Sequence, residues 1–160
     1  MLVLSFRRLR MINDNVSAKG YVSFDLYDEH NNLKETNSFN LVVNTGLAFI
    51  TERMVGNTPA VMSHMALGTN SAVAAAANTA LGTEVGRIAL SSATCVTTTA
   101  TNDSVQFAAS FGPGTATGAI TEAGVFNASS GGTMIARTVF PVINKGALDT
   151  LAITWKIVIV

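Results

Sequence analysis

The sequence predicts an all-β domain: a β-sandwich, jelly-roll-like in build, with one short helix and an extended N-terminal arm. Three observations carry that prediction. Short segments alternate apolar and polar residues with period two. Gly-, Ser- and Asn-rich stretches separate them and read as turns. One segment alone, 44–56, changes to a helical period. A chain of 160 residues fits one domain and buries enough surface to fold without a disulfide or a metal. Residues 1–17 form the arm and 18–160 the sandwich.

The elements follow in order. Residues 20–27, GYVSFDLY, place Val22, Phe24 and Leu26 on one face and Tyr21, Ser23, Asp25 and Tyr27 on the other, the pattern of a half-buried strand. DEHNN at 28–32 is a turn, and Leu33 to Phe39 supplies the returning strand of a hairpin. In NTGLAFITERMVG, Leu47, Ile50 and Met54 recur at helical spacing. Asn44 or Thr45 would cap its start and Gly56 its end, with Glu52 and Arg53 facing solvent. VMSHMALG at 61–68 reads as a strand. Residues 69–87 read as weakly structured, because Asn, Thr and Gly flank the Ala run. A strand starts at Arg87 to Leu90, and Ser, Thr and Ala then dominate through Asn102. SVQFAASF at 104–111, AITEAGVF at 119–126 and TMIARTVF at 133–140 are strands. Asn144-Lys145-Gly146 is a hairpin-type turn. In the last segment, 148–160, Leu151, Ile153, Trp155, Ile157 and Ile159 share one face. Val158 and Val160 lie on the other, so both sides of this strand are expected to be covered. Trp155 is the expected core anchor.

Composition narrows the function. Apolar residues make up 48% of the chain and charged residues 12%, half the charge of a typical soluble protein. Mean hydropathy is +0.37. Either a membrane or partner proteins must cover that surface. No apolar run approaches the ~20 residues of a spanning helix. The few alternating segments and 7% aromatics fall short of a transmembrane barrel. Coverage by protein partners is the expectation, with no membrane. Net charge is +0, which gives no general attraction to nucleic acid.

The first ten residues differ from the rest. Leu2, Val3, Leu4, Phe6 and Leu9 are interleaved with Arg7, Arg8 and Arg10. Such an arm is expected to lie on a partner, with Leu2, Leu4, Phe6, Arg7, Arg8 and Arg10 making the contact. Three arginines without a wider basic face favour a protein partner over nucleic acid. MLVLSFRRLR does not read as a secretory signal, since its apolar part is short and its charges follow it.

The search for chemistry finds no convergent set, so no enzymatic activity, cofactor or metal is expected. His30 sits in a turn, and His64 has no second ligand nearby in sequence. No serine stands in G-x-S-x-G. Glu84 and Glu122 could form a carboxylate pair for glycoside hydrolysis. Glu84 is three residues from Arg87, however, and Glu122 can pair with Arg137 across neighbouring strands. GPGTATG at 112–118 lacks the Lys and Ser/Thr of a phosphate loop. The single cysteine, Cys95, reads as a small buried hydrophobe. Tyr21, Tyr27 and Trp155 keep open a carbohydrate-binding module.

Several segments together carry a resemblance: NLVVNTGLAFITERMVG, MALGT, TALGTEVGRIAL, TEAGVF at 121–126, ARTVF at 136–140, Asn144-Lys145-Gly146 and Ile153-Thr154-Trp155. In this order and spacing, over roughly residues 18–160, the chain resembles a group of small bacteriophage virion domains, tail-fibre-like or capsid decoration (cement) proteins. The resemblance implies assembly rather than catalysis, with Glu122, Gly124, Arg137 and Trp155 as structural motif residues. Gly124 would permit close backbone approach. A bare domain with an arm suits a capsid cement protein, expected as a homotrimer bound to the major capsid protein. It would be assembled in the host bacterial cytoplasm and located in the virion. A tail, baseplate or fibre-attachment protein is the alternative.

Overall fold

The computed structural model describes residues 16–38 and 41–159, with backbone alone at 36–38. The arm residues Leu2, Leu4, Phe6, Arg7, Arg8 and Arg10, and also Phe39 and Val160, lie outside the described residues.

Among the described residues, ten strands and one helix follow in chain order. They are β1 (Ala18–Tyr27), β2 (Leu33–Ser38), β3 (Leu41–Val42), α1 (Asn44–Met54), β4 (His64–Gly68), β5 (Glu84–Ala89), β6 (Ser92–Val96), β7 (Ser104–Phe111), β8 (Gly118–Phe126), β9 (Met134–Lys145) and β10 (Thr150–Ile159). They build two antiparallel sheets of five strands, ordered β2-β1-β10-β7-β6 and β3-β9-β8-β4-β5. The expected all-β sandwich with one short helix is what the chain forms. Pairing of β1 with β10 and of β3 with β9 rolls the two ends of the chain together. The middle strands pair locally, as β4–β5 and β6–β7.

Alternation places the core. Val22, Phe24 and Leu26 of β1 join Phe107 and Phe111 of β7 and Leu151, Ile153, Trp155 and Ile157 of β10. They meet Met65, Leu67, Ile120, Val125, Ile135 and Ile143 of the other sheet. Trp155 is fully buried at its centre, which confirms it as the core anchor. Each such large side chain contributes about 1.5–3 kcal/mol on burial.

The second sheet is covered on its outer face as well. Val43, Ala66, Leu81, Phe126 and Met134 form a smaller cluster there. Leu81 comes from the irregular segment 69–83, which lies over β8 and β9. This double coverage explains why β8 is buried without interruption from Ile120 to Phe126.

Five local readings need correction. Neither Asn44 nor Thr45 caps α1. Val43 occupies that position with no side-chain bond, and the Thr45 hydroxyl instead donates to the Met134 carbonyl at 2.6 Å. The helix turns Gly46, not Leu47 or Met54, to the sheet. A Cβ at Gly46 would collide with the Ile135 carbonyl oxygen, so glycine alone allows this approach. Strand β4 starts at His64, three residues later than the strand read at 61–68. Strand β6 was hidden in a Ser/Thr/Ala stretch that shows no alternation. Asn144 and Lys145 are not turn residues. They end β9, and the turn is Gly146–Asp149, closed by the Gly146 N–H donating to Asp149 Oδ2 at 2.8 Å.

Candidate functional site

Two features stand out: a buried ion pair under the 69–83 segment and an apolar groove at one end of the sandwich.

The ion pair joins the motif residues Glu122 and Arg137. Arg137 lies opposite Gly124, and Glu122 opposite Val139, so the pair runs diagonally across two strands on one face. Arg137 donates from Nε at 3.0 Å and from Nη2 at 2.8 Å to Glu122 Oε2. Both residues are almost wholly buried. Burial of two charges is tolerated only when their remaining sites are filled, and here the 69–83 segment fills them. Backbone N–H groups of Thr83 (2.7 Å), Asn70 (3.2 Å) and Gly82 (3.0 Å) donate to the Glu122 carboxylate. Arg137 donates onward to Asn78 Oδ1 at 2.9 Å and to the Ala72 carbonyl at 3.2 Å. The pair therefore holds an irregular segment in one conformation. Gly124 leaves room for side chains rather than backbone: a Cβ there would meet Leu81 Cδ2 at 3.0 Å and Met134 Sδ at 3.2 Å.

The second carboxylate considered for hydrolysis is committed elsewhere. Glu84 accepts from Arg87 at 2.6 Å, and the Arg87 guanidinium lies over the Phe126 ring, 3.8 Å from its centroid. His64 Nδ1 is 2.8 Å from the Ser63 hydroxyl, and His30 is exposed beside Glu29. Among the described residues no three His, Cys, Asp or Glu side chains gather as a metal site, and no helix is long and apolar enough to cross a membrane. Trp155 is buried and cannot stack on a sugar.

A third polar centre was not read from the sequence. Lys145 is 1% exposed and donates to the carbonyls of Gly112 at 2.9 Å and Asp149 at 2.7 Å. It ties the β7–β8 connection to the β9–β10 turn. Loss of water pushes its ammonium pKa down, against the opposing pull of Asp149. The hydrogen bond from Lys34, together with the Gly146 N–H, holds the Asp149 carboxyl below the usual carboxylate range. The available signal was a lysine between an apolar strand and a Gly-containing turn, which composition alone reads as solvated.

The groove opens between the two sheets at the end where β1 begins and β10 finishes. Its volume is about 510 Å³. Phe49 and Ile50 of α1, Val61, Cys95 of edge strand β6, and Ile157 and Ile159 of β10 form its walls. Arg53 and Asp103 are the charged groups on its lining. Backbone N–H groups of Ala100, Thr99 and Thr98, with the Thr98 hydroxyl, hold the Asp103 carboxyl well below its ordinary value. Cys95 is exposed here, which overturns its reading as a buried hydrophobe: its strand is a sheet edge. On α1 and just beyond it Leu47 (46%), Met54 (81%) and Val55 (77%) are exposed, as is the groove residue Val61 (63%). Leu47, Ile50 and Met54 form the apolar stripe that the helical spacing indicated. Of the three, Ile50 lines the groove, while Leu47 and Met54 are exposed instead of packing in the core.

Comparisons were made with protein-family models, curated proteins and solved structures. None of them matches this chain.

Proposed function

We propose that this chain is a phage virion structural protein, and most specifically a capsid cement or decoration protein. In this reading it staples neighbouring subunits through its sandwich and its N-terminal arm, without enzymatic activity. One observation carries the reading: an apolar groove, lined in part by Ile50 of a helix whose Leu47 and Met54 are also exposed, opens on a charge-poor domain. Surfaces of that kind are sites of protein association. The composition of the arm and the resemblance of residues 18–160 to small virion domains support the same assignment. Its partners are copies of itself, as a trimer, and the major capsid protein.

Copy number in purified particles tests this. Hundreds of copies are expected for a cement protein. Three, six or twelve would replace it with a tail, baseplate or fibre-attachment role, and absence from particles would end the virion reading. Removal of Met1 to Arg10 should leave the sandwich folded and weaken its attachment to the particle.

A further inference from the structure

The groove and the arm have matching chemistry, and the place where the described chain starts brings them to the same end of the molecule. Ala18 pairs with Ile159, and Ile159 lines the groove. Val16, two residues before Ala18, is 80% exposed, so the described chain starts from an exposed position at this end of the domain. Fifteen residues precede Val16. In an extended segment, Leu2, Leu4 and Phe6 point to one side and Val3, Ser5 and Arg7 to the other. Residues 7–15 reach at most about 30 Å when extended, enough to bridge two touching domains of this size. Strand β6 ends its sheet among the described residues, and its residues Ala93, Thr94 and Cys95 line the groove. That is an edge on which an extended peptide can add as a strand, its alternate side chains entering the adjoining pocket.

We infer that the groove of one copy receives residues Leu2–Phe6 of a neighbouring copy, so that copies are linked arm to groove. The inference rests on the assembly reading above and names the partner of that surface. A head-to-tail contact of this kind closes into a ring when the rotation between copies allows, which is how a trimer would form.

The single native cysteine provides the test. Full-length protein carrying Leu4→Cys is prepared in two isotopic forms, mixed, concentrated and oxidised. The expected product is a disulfide between positions 4 and 95 joining a heavy to a light chain. A 4–95 disulfide formed only within one chain, or only 4–4 and 95–95 links, would overturn the exchange. So would a 4–95 link that requires added capsid protein. Leu4→Glu and Ile50→Glu, each with native Trp155 fluorescence, should weaken self-association by about tenfold or more, since a charge must then enter an apolar site. Unchanged association in both variants would also overturn it. Neither result bears on whether the chain is present in particles, so failure of the exchange is distinguishable from failure of the virion reading.

Discussion

Replacing Glu122 by Ala should be among the most damaging single changes outside the apolar core. The substitution leaves the Arg137 guanidinium, 2% exposed, without its counter-charge. It also strands the N–H groups of Asn70, Gly82 and Thr83 that the carboxylate accepts. Removing one partner of a buried pair costs about 3–5 kcal/mol. Each stranded donor would add about 1–3 kcal/mol if it stayed buried. The 69–83 segment can lift and rehydrate its donors, so the pair term sets the scale, at about 4 kcal/mol. Domains of this kind have roughly 5–15 kcal/mol in total, and the change should lower the melting temperature by roughly 8–16 °C. Trp155 is the single tryptophan and sits in the core, so its fluorescence in urea reports the unfolding. Limited proteolysis should show new cleavage within 69–83 before the sandwich opens. The double variant Glu122→Gln, Arg137→Met should cost less than the sum of its single changes, because it leaves no buried charge. A loss below about 1 kcal/mol for Glu122→Ala, the value of an exposed pair, would refute the claim that this pair holds the segment.

Other changes test other parts of the structure. Gly46→Ala should destabilise by about 1–3 kcal/mol, because its Cβ would displace α1 from β9; a neutral urea midpoint would mean that the helix is loosely seated. Met54→Ser should leave stability within about 0.5 kcal/mol, since Met54 is exposed, and should reduce attachment to the particle. Stability should depend on pH through Asp149. Its folded pKa lies below the unfolded value, so its contribution is present above about pH 4 and is lost as pH falls through the folded pKa. Urea midpoints measured from pH 6 down to pH 2 should therefore fall, and Asp149→Asn should flatten that slope. Lys145 has the opposite consequence at high pH. Its folded pKa is depressed, so the penalty for burying its charge is relieved as pH rises toward its unfolded value near 10.4; Lys145→Met should remove that alkaline gain.

Where one face of an element is buried and the other wet, the sequence was readable. Strand β7 spans the alternating residues 104–111 that announced it, and β1 places Val22, Phe24 and Leu26 inward as their spacing required. Legibility failed where burial was decided by something other than side-chain hydropathy. Gly46, with no side chain, determines which face of α1 meets the sheet, and no hydrophobic pattern records that. Strand β6 is an exposed edge, so selection for apolar alternation is absent from SATCV. The strand read at 133–140 continues in β9 through Pro141 to Lys145. Pro141 lies where the β8–β9 register shifts, beyond the short stretch that β3 covers, so no ladder bond needs its missing N–H. Pairing of Glu122 with Arg137 was foreseen from their strands. The five further hydrogen bonds to the 69–83 segment were not, because they come from backbone groups and one Asn side chain far away in sequence.

The two halves of the candidate site bear on one another. An irregular segment over β8 and β9 would normally be the weakest cover of a sandwich, since loops carry backbone groups that need partners. Here one carboxylate and one guanidinium meet that need from within the sheet, so the outer face of the second sheet is sealed by the chain itself. Among the described residues no such arrangement covers the groove. Leu47, Met54 and Val61 remain exposed, and Val61 lines the groove together with Ile50 of α1. Among the described residues, the groove is thus an apolar surface left without cover. Because the described core between the sheets is drawn from residues of the two sheets and their connections, covering the groove is expected to add association rather than folding. That difference is measurable: in the truncated protein lacking residues 1–10, the urea midpoint should hold while self-association is lost.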